Sequence, residues 1–237
     1  YYVNDRVDAN DEYTTAAGDD LNDGLSPGTP KATLRSILES GVLQPGDKIV
    51  VDHGTYSMDT NLTLGEDLSG IIIQGPTAAG SAAILDRDNT SSGSYVFEFS
   101  GADDLTISGL TLQGAERAIY ADGNADSDRI QIVGNTFADN AFSGVYAGRA
   151  NWTTLSEWNI EANTIYGSTY GVYLTQVDAV VQNNVVFDNQ SGLLLNRYRD
   201  STISLVAIGN KAYQNYTGID VQQGAIASGN VVYNNAT

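Results

Sequence analysis

One phrase recurs along the second half of the chain and restricts its fold more than any other feature. An Asn is followed by two or three apolar or aromatic residues, a small polar turn, and Gly-apolar-x-apolar. It reads Asn135-Thr136-Phe137 with Gly144-Val145-Tyr146-Ala147, then Asn163-Thr164-Ile165-Tyr166 with Gly171-Val172-Tyr173-Leu174. It continues as Asn184-Val185-Val186-Phe187 with Gly192-Leu193-Leu194-Leu195, Asn210-Lys211-Ala212-Tyr213 with Gly218-Ile219-Asp220-Val221, and Asn230-Val231-Val232-Tyr233. Successive Asn lie 28, 21, 26 and 20 residues apart. Strands this short bury no face alone. The period therefore predicts a solenoid in which each unit stacks about 4.8 Å from the next and backbone groups pair along the stack.

Each unit reads as three short strands, for example Ile130-Gln131-Ile132, Thr136-Phe137 and Val145-Tyr146-Ala147. The Asn is expected at the bend between the second and third strands, where it would tolerate a left-handed backbone. Stacked, Asn135, Asn163, Asn184, Asn210 and Asn230 would pass hydrogen bonds from coil to coil as an internal asparagine ladder. The alternative is a set of turn asparagines facing solvent.

The repeat resembles the right-handed parallel β-helix of the pectate-lyase-like superfamily over nearly the whole chain. The resemblance implies an all-β solenoid with a short N-terminal capping α-helix. It says less about activity, because that scaffold carries lyases, hydrolases, epimerases, adhesins and inert modules. The front of the chain, Ala17-Gly18-Asp19 through Gly24-Leu25-Ser26-Pro27, Thr29-Pro30-Lys31-Ala32-Thr33, Pro45-Gly46-Asp47-Lys48-Ile49 and His53-Gly54-Thr55-Tyr56, resembles the N-terminal cap of bacterial secreted β-helix proteins. That implies a cap over residues 1–47 and coils over 48–237. Thr29 as N-cap and Pro30 at the first helical position predict a helix over about 30–40, with Ala32, Leu34, Ile37 and Leu38 as its apolar face and Gly41 ending it. The last coil stops at Asn234-Asn235-Ala236-Thr237 without a polar cap, so the natural chain is expected to continue into further domains.

The 237 residues contain no Cys, which excludes disulfides and thiolate metal sites. No apolar run approaches the roughly 20 residues of a membrane span. A net charge of −18 argues against nucleic-acid and anionic-membrane partners. The acidity belongs to the front: residues 1–128 hold 22 acidic and 6 basic side chains, residues 129–237 hold 7 and 5.

Alternation along the Gly-apolar-x-apolar strand places Glu98, Tyr120, Tyr146, Tyr173, Leu194 and Asp220 outward, one per coil. The tyrosines would form an exposed stripe. Loops after this strand add Asp122, Asp126 and Asp128, then Arg149 and Trp152, then Arg197 and Arg199. Sugars stack on Tyr and Trp, and Arg forks bind uronate carboxylates, so the pattern points to a polysaccharide groove. The alternative is a stripe that only stiffens the sheet.

For catalysis, the resemblance implies a basic residue near the sugar C5 proton, with Arg149, Arg197 and Arg199 as candidates. It also implies Ca²⁺, for which Asp122, Asp126 and Asp128 are candidate ligands; no organic cofactor is expected. A second calcium candidate is Asp19 with Asp23, where Leu21 falls at a ligand position and no closing Glu follows. The Tyr-Gly-x-Asp-Pro-His motif of the alginate epimerases is absent, as are the paired Asp of galacturonan hydrolases. The lone histidine, His53, reads as structural. The expected function is an extracellular or cell-surface module that contacts polysaccharide, uronate-containing by the Arg argument. The alternatives are a calcium-assisted lyase or C5-epimerase on the same face, and a structural spacer or adhesin repeat of a large surface protein.

Overall fold

A computed structural model describes residues 1–148, 155–198 and 202–237. Three parallel sheets run the length of a solenoid, with nine, eight and seven strands among the described residues. A typical coil takes Gln131–Val133 in the first sheet, Thr136–Ala138 in the second and Ser143–Gly148 in the third, then returns to the first at Leu155–Glu161. Every strand pairs with its equivalent one coil away. The chain is therefore an all-β parallel β-helix.

Alternation of side chains sends one residue set inward from each sheet. Ile73, Ile107, Ile132, Ile160 and Val181 form one inner row, Leu112, Phe137, Ile165 and Val186 another, and Phe99, Ala121, Ala147, Leu174 and Leu195 the third. All are buried in one continuous core.

The asparagines form a column, but not at the bend expected for them. They lie between the first and second sheets. Asn135, Asn163, Asn184 and Asn210 each donate their backbone N–H to the Oδ1 of the next, Asn230 closing the series, at 2.8–2.9 Å. Each Nδ2 also reaches back to a carbonyl of the preceding coil, as Asn184 does to Ile160 at 2.8 Å. The left-handed residue is the one before each Asn: Gly134, Ala162, Asn183, Gly209 and Gly229 have φ of +56° to +66°. That residue turns the chain, and the Asn satisfies the backbone groups the turn leaves unpaired.

A second column stands at the bend between the second and third sheets. There Ser168 donates its N–H to Asn189, Asn189 to Asn215 and Asn215 to Asn235, at 2.9–3.0 Å. Asn140 begins the column, accepting from the Ala115 N–H at 3.1 Å. The glycines that follow are packed between coils: a Cβ at Gly171 would lie 2.5 Å from the Gly192 carbonyl oxygen.

The front is held differently. Tyr2–Val3 extends the first sheet beyond Lys48–Val51. The helix is shorter than expected, Leu34–Leu38, and its N-cap is Thr33, whose hydroxyl accepts from the Ser36 N–H. Thr29 lies in the preceding turn instead, its hydroxyl donating to Asp23 at 2.7 Å. Leu34, Ile37 and Leu38 close the core over the first coil. Carboxylates pin the preceding loops. Buried Asp52 accepts from the N–H groups of Glu12, Tyr13, Thr14 and His53, each at 2.7 Å, and from the Thr14 hydroxyl at 2.9 Å. His53 Nδ1 accepts from the Ala82 N–H at 3.2 Å, a structural use of that ring.

Candidate functional site

The outer face of the third sheet carries the row read from the sequence. Glu98, Tyr120, Tyr146, Tyr173, Leu194 and Asp220 are direct cross-strand partners, coil after coil. All six are half-exposed. Tyr120 stacks on Tyr146 with ring centres 5.6 Å apart and planes 26° apart, whereas Tyr146 meets Tyr173 edge to face at 5.2 Å and 77°.

Three further rings, not singled out in the sequence, widen the row. Tyr95 stacks on Tyr120 at 4.3 Å. Tyr170 leans on Tyr173 at 4.9 Å, and Phe142 sits 5.2 Å from Tyr170 and 6.2 Å from Tyr146. Tyr95 and Tyr170 open their strands in register with Arg117 and Ser143. Six rings thus make one continuous patch over four coils, about 14 Å along the axis at the usual strand spacing.

Arg117 lies inside this patch. Its guanidinium carbon is 4.5–5.7 Å from the ring centres of Phe142, Tyr146, Tyr120 and Tyr95. Nη1 bridges to Glu116 at 3.1 Å and donates to the Tyr95 hydroxyl at 3.4 Å, and the side chain is 17% exposed. Such a caged cation gains from the ring quadrupoles what it loses in hydration. Sequence alternation missed it because it precedes the corner glycine position, where the in-out pattern has not yet begun.

Burial, with Asp122 next to it, pushes the Tyr120 phenol up to about 12. Its hydroxyl donates to Asp122 at 3.2 Å. Burial also raises Tyr95, and Glu116 and Glu98 add to the rise against the opposing Arg117. Both phenols are neutral over the ordinary pH range, Tyr120 donating to Asp122 and Tyr95 accepting from Arg117.

The calcium candidates do not converge. Asp122 accepts from the Asn124 N–H at 2.9 Å as well as from Tyr120, while Asp128 accepts from the Ser156 N–H at 2.7 Å and Asp126 is exposed. Asp19 and Asp23 each cap their own turn, accepting from the N–H groups of Leu21 and Leu25 at 3.0 Å. Among the described residues no three acidic or His side chains are grouped as a cation site would need. Asp122, Asp128, Asp19 and Asp23 already accept from backbone N–H groups.

Arg149, Trp152 and Arg199 lie outside the described residues. Arg197 lies against the backbone of the next coil, where a Cβ at Gly224 would fall 2.6 Å from its Nη2. On the same face, Asn196 donates to Gln222 at 3.3 Å and Gln222 to Asp220 at 2.7 Å, a polar continuation of the aromatic patch.

The family model described as "Right handed beta helix region" matches residues 95–237. No curated protein matches the chain in sequence. Among solved structures, an alginate lyase from Paenibacillus sp. is similar at 17% identity and a TM-score of 0.42, over 85% of this chain and 94% of that one. Pectate lyase Pel9A is similar at 16% and 0.46, over 99% and 77%. The pectin methylesterase PemA of Erwinia chrysanthemi is similar at 11% and 0.37, over 94% and 66%.

Proposed function

From a chain that belongs to the right-handed β-helix family, we propose an extracellular or cell-surface module that binds polysaccharide along the outer face of its third sheet. The observation that carries the reading is the continuous patch of six rings over four coils, followed on the same face by the Asn196 and Gln222 amides. Sugar rings present apolar faces between equatorial hydroxyls. They are matched by aromatic surface flanked by phenols and amides, at little entropic cost because Tyr has few rotatable bonds. The linear solenoid presents this patch along its axis, as an extended chain requires.

No residue is assigned a catalytic role. Arg197, the candidate base among the described residues, is packed on the Gly224 backbone.

The reading is tested by electrophoresis through gels containing soluble polysaccharides, comparing the wild-type protein with Tyr173→Ala. Retardation by at least one polysaccharide that Tyr173→Ala abolishes supports it. Equal mobility of the two proteins in every gel contradicts it.

A further inference from the structure

The charge and occupancy of this face bear on which glycan it accepts. Binding a uronate chain calls for a guanidinium with its fork open to solvent. Arg117, the guanidinium lodged among the rings, is only 17% exposed and already paired. Nη1 is taken by Glu116 and Tyr95, Nε is buried, and ring faces surround the carbon. Around it the face carries Glu98, Glu116, Asp122 and Asp220 against Arg117 and Arg197. Among the described residues of the face, carboxylates therefore outnumber guanidinium groups four to two, within a chain of net charge −18.

A hexauronate laid on this row would set one carboxylate about every 5 Å against that field, within the Debye length of about 8 Å at physiological salt. What the face offers besides is neutral: ring surface, the Tyr120 hydroxyl bonded to Asp122, and the Asn196 and Gln222 amides bonded to one another and to Asp220, with Tyr95 buried against Arg117. Resting on the proposed binding face, we infer that the site selects neutral polysaccharides and rejects polyuronates by charge. The caged Arg117–Glu116 pair serves to order the rings and not to capture a carboxylate.

The test is calorimetric titration of the whole chain with xylohexaose, mannohexaose, cellohexaose and galactohexaose, and with hexagalacturonate and hexamannuronate, at about 20 mM and about 500 mM salt. The expected result is a neutral hexasaccharide bound at least tenfold more tightly than either uronate at low salt. That gap should narrow at high salt and in the double variant Glu98→Gln with Glu116→Gln, whose fold is checked by its melting curve. A uronate bound as tightly as every neutral probe, with its affinity lost in Tyr173→Ala, overturns the selectivity and leaves the binding face standing. A gap indifferent to salt overturns the charge mechanism. No Tyr173-dependent binding of any hexasaccharide overturns both.

Discussion

Two aromatic rows run along this solenoid, and they are built differently. On the second sheet, Tyr166, Phe187, Tyr213 and Tyr233 stack with centres 5.1–5.2 Å apart and planes only 7–20° apart. On the third sheet the stack begins the same way, from Tyr95 through Tyr120 to Tyr146, and then breaks, Tyr173 standing 77° from Tyr146. Backbone register is unbroken in both. The difference therefore comes from neighbours. The second-sheet strands are three residues long and place Thr164, Val185 or Lys211 beside each ring, whereas Tyr173 is crowded by Tyr170 and Phe142. Rings held one coil apart cover one another's faces by default, and crowding turns one across the stack. A regular stack stiffens its sheet; a broken one leaves ring surface for a ligand. The second-sheet row is thus an internal control for the third.

The largest effects come from removing what both rows stand on. Asp52→Asn replaces a buried acceptor of five hydrogen bonds and should cost about 4 kcal/mol, read by thermal melting. Burial opposes ionisation of Asp52, but the Glu12, His53 and Tyr13 N–H groups outweigh it and hold the carboxyl below its ordinary range. A depressed carboxyl contributes stability that is complete above its unfolded pKa of about 4 and is lost as pH falls through the folded value. The wild-type melting temperature should fall steeply below about pH 4, and that of Asp52→Asn less so. Glycan affinity between pH 5 and 8 should not follow either change.

Next is Asn184→Ala, which strips the Asn163 N–H and the Ile160 carbonyl of their partners at the buried bend between the first and second sheets. It should cost about 3 kcal/mol in chemical denaturation. Tyr173→Ala separates the rows: affinity for the bound glycan should fall at least tenfold, about 1.4 kcal/mol, in calorimetry. Smallest is Phe187→Ala, which opens a gap in the second-sheet stack. It should lower stability by about 1 kcal/mol while glycan affinity stays within twofold. Loss of affinity in Phe187→Ala equal to that in Tyr173→Ala would erase the distinction between the rows.

Much of this was legible in the sequence, for reasons that particular residues make plain. The spacing of Asn135 to Asn230 specified the coil, and two-residue alternation within each strand then placed Tyr120, Tyr146 and Tyr173 in one row. The second asparagine column went unread because Ser168 interrupts it, although Asn140, Asn189, Asn215 and Asn235 each follow a first-column Asn by five residues. That fixed offset was the available signal. Thr29-Pro30 has the pattern of a helix start, but Thr29 lies in a turn with Ser26 and Asp23, and Thr33 caps the helix. Arg117, Phe142 and Tyr170 were not read as site residues. They sit at or beside the corner into the third sheet, where alternation carries no information and packing alone decides which side chains meet.

The most direct measurement is amide chemical-shift mapping of the isotope-labelled chain titrated with the tightest-binding hexasaccharide. The account predicts perturbations confined to the third sheet, along 95–100, 117–122, 143–148 and 170–175, with Tyr166, Phe187, Tyr213 and Tyr233 silent. Perturbations that follow the second-sheet row, or that spare Tyr120, Tyr146 and Tyr173, would contradict it.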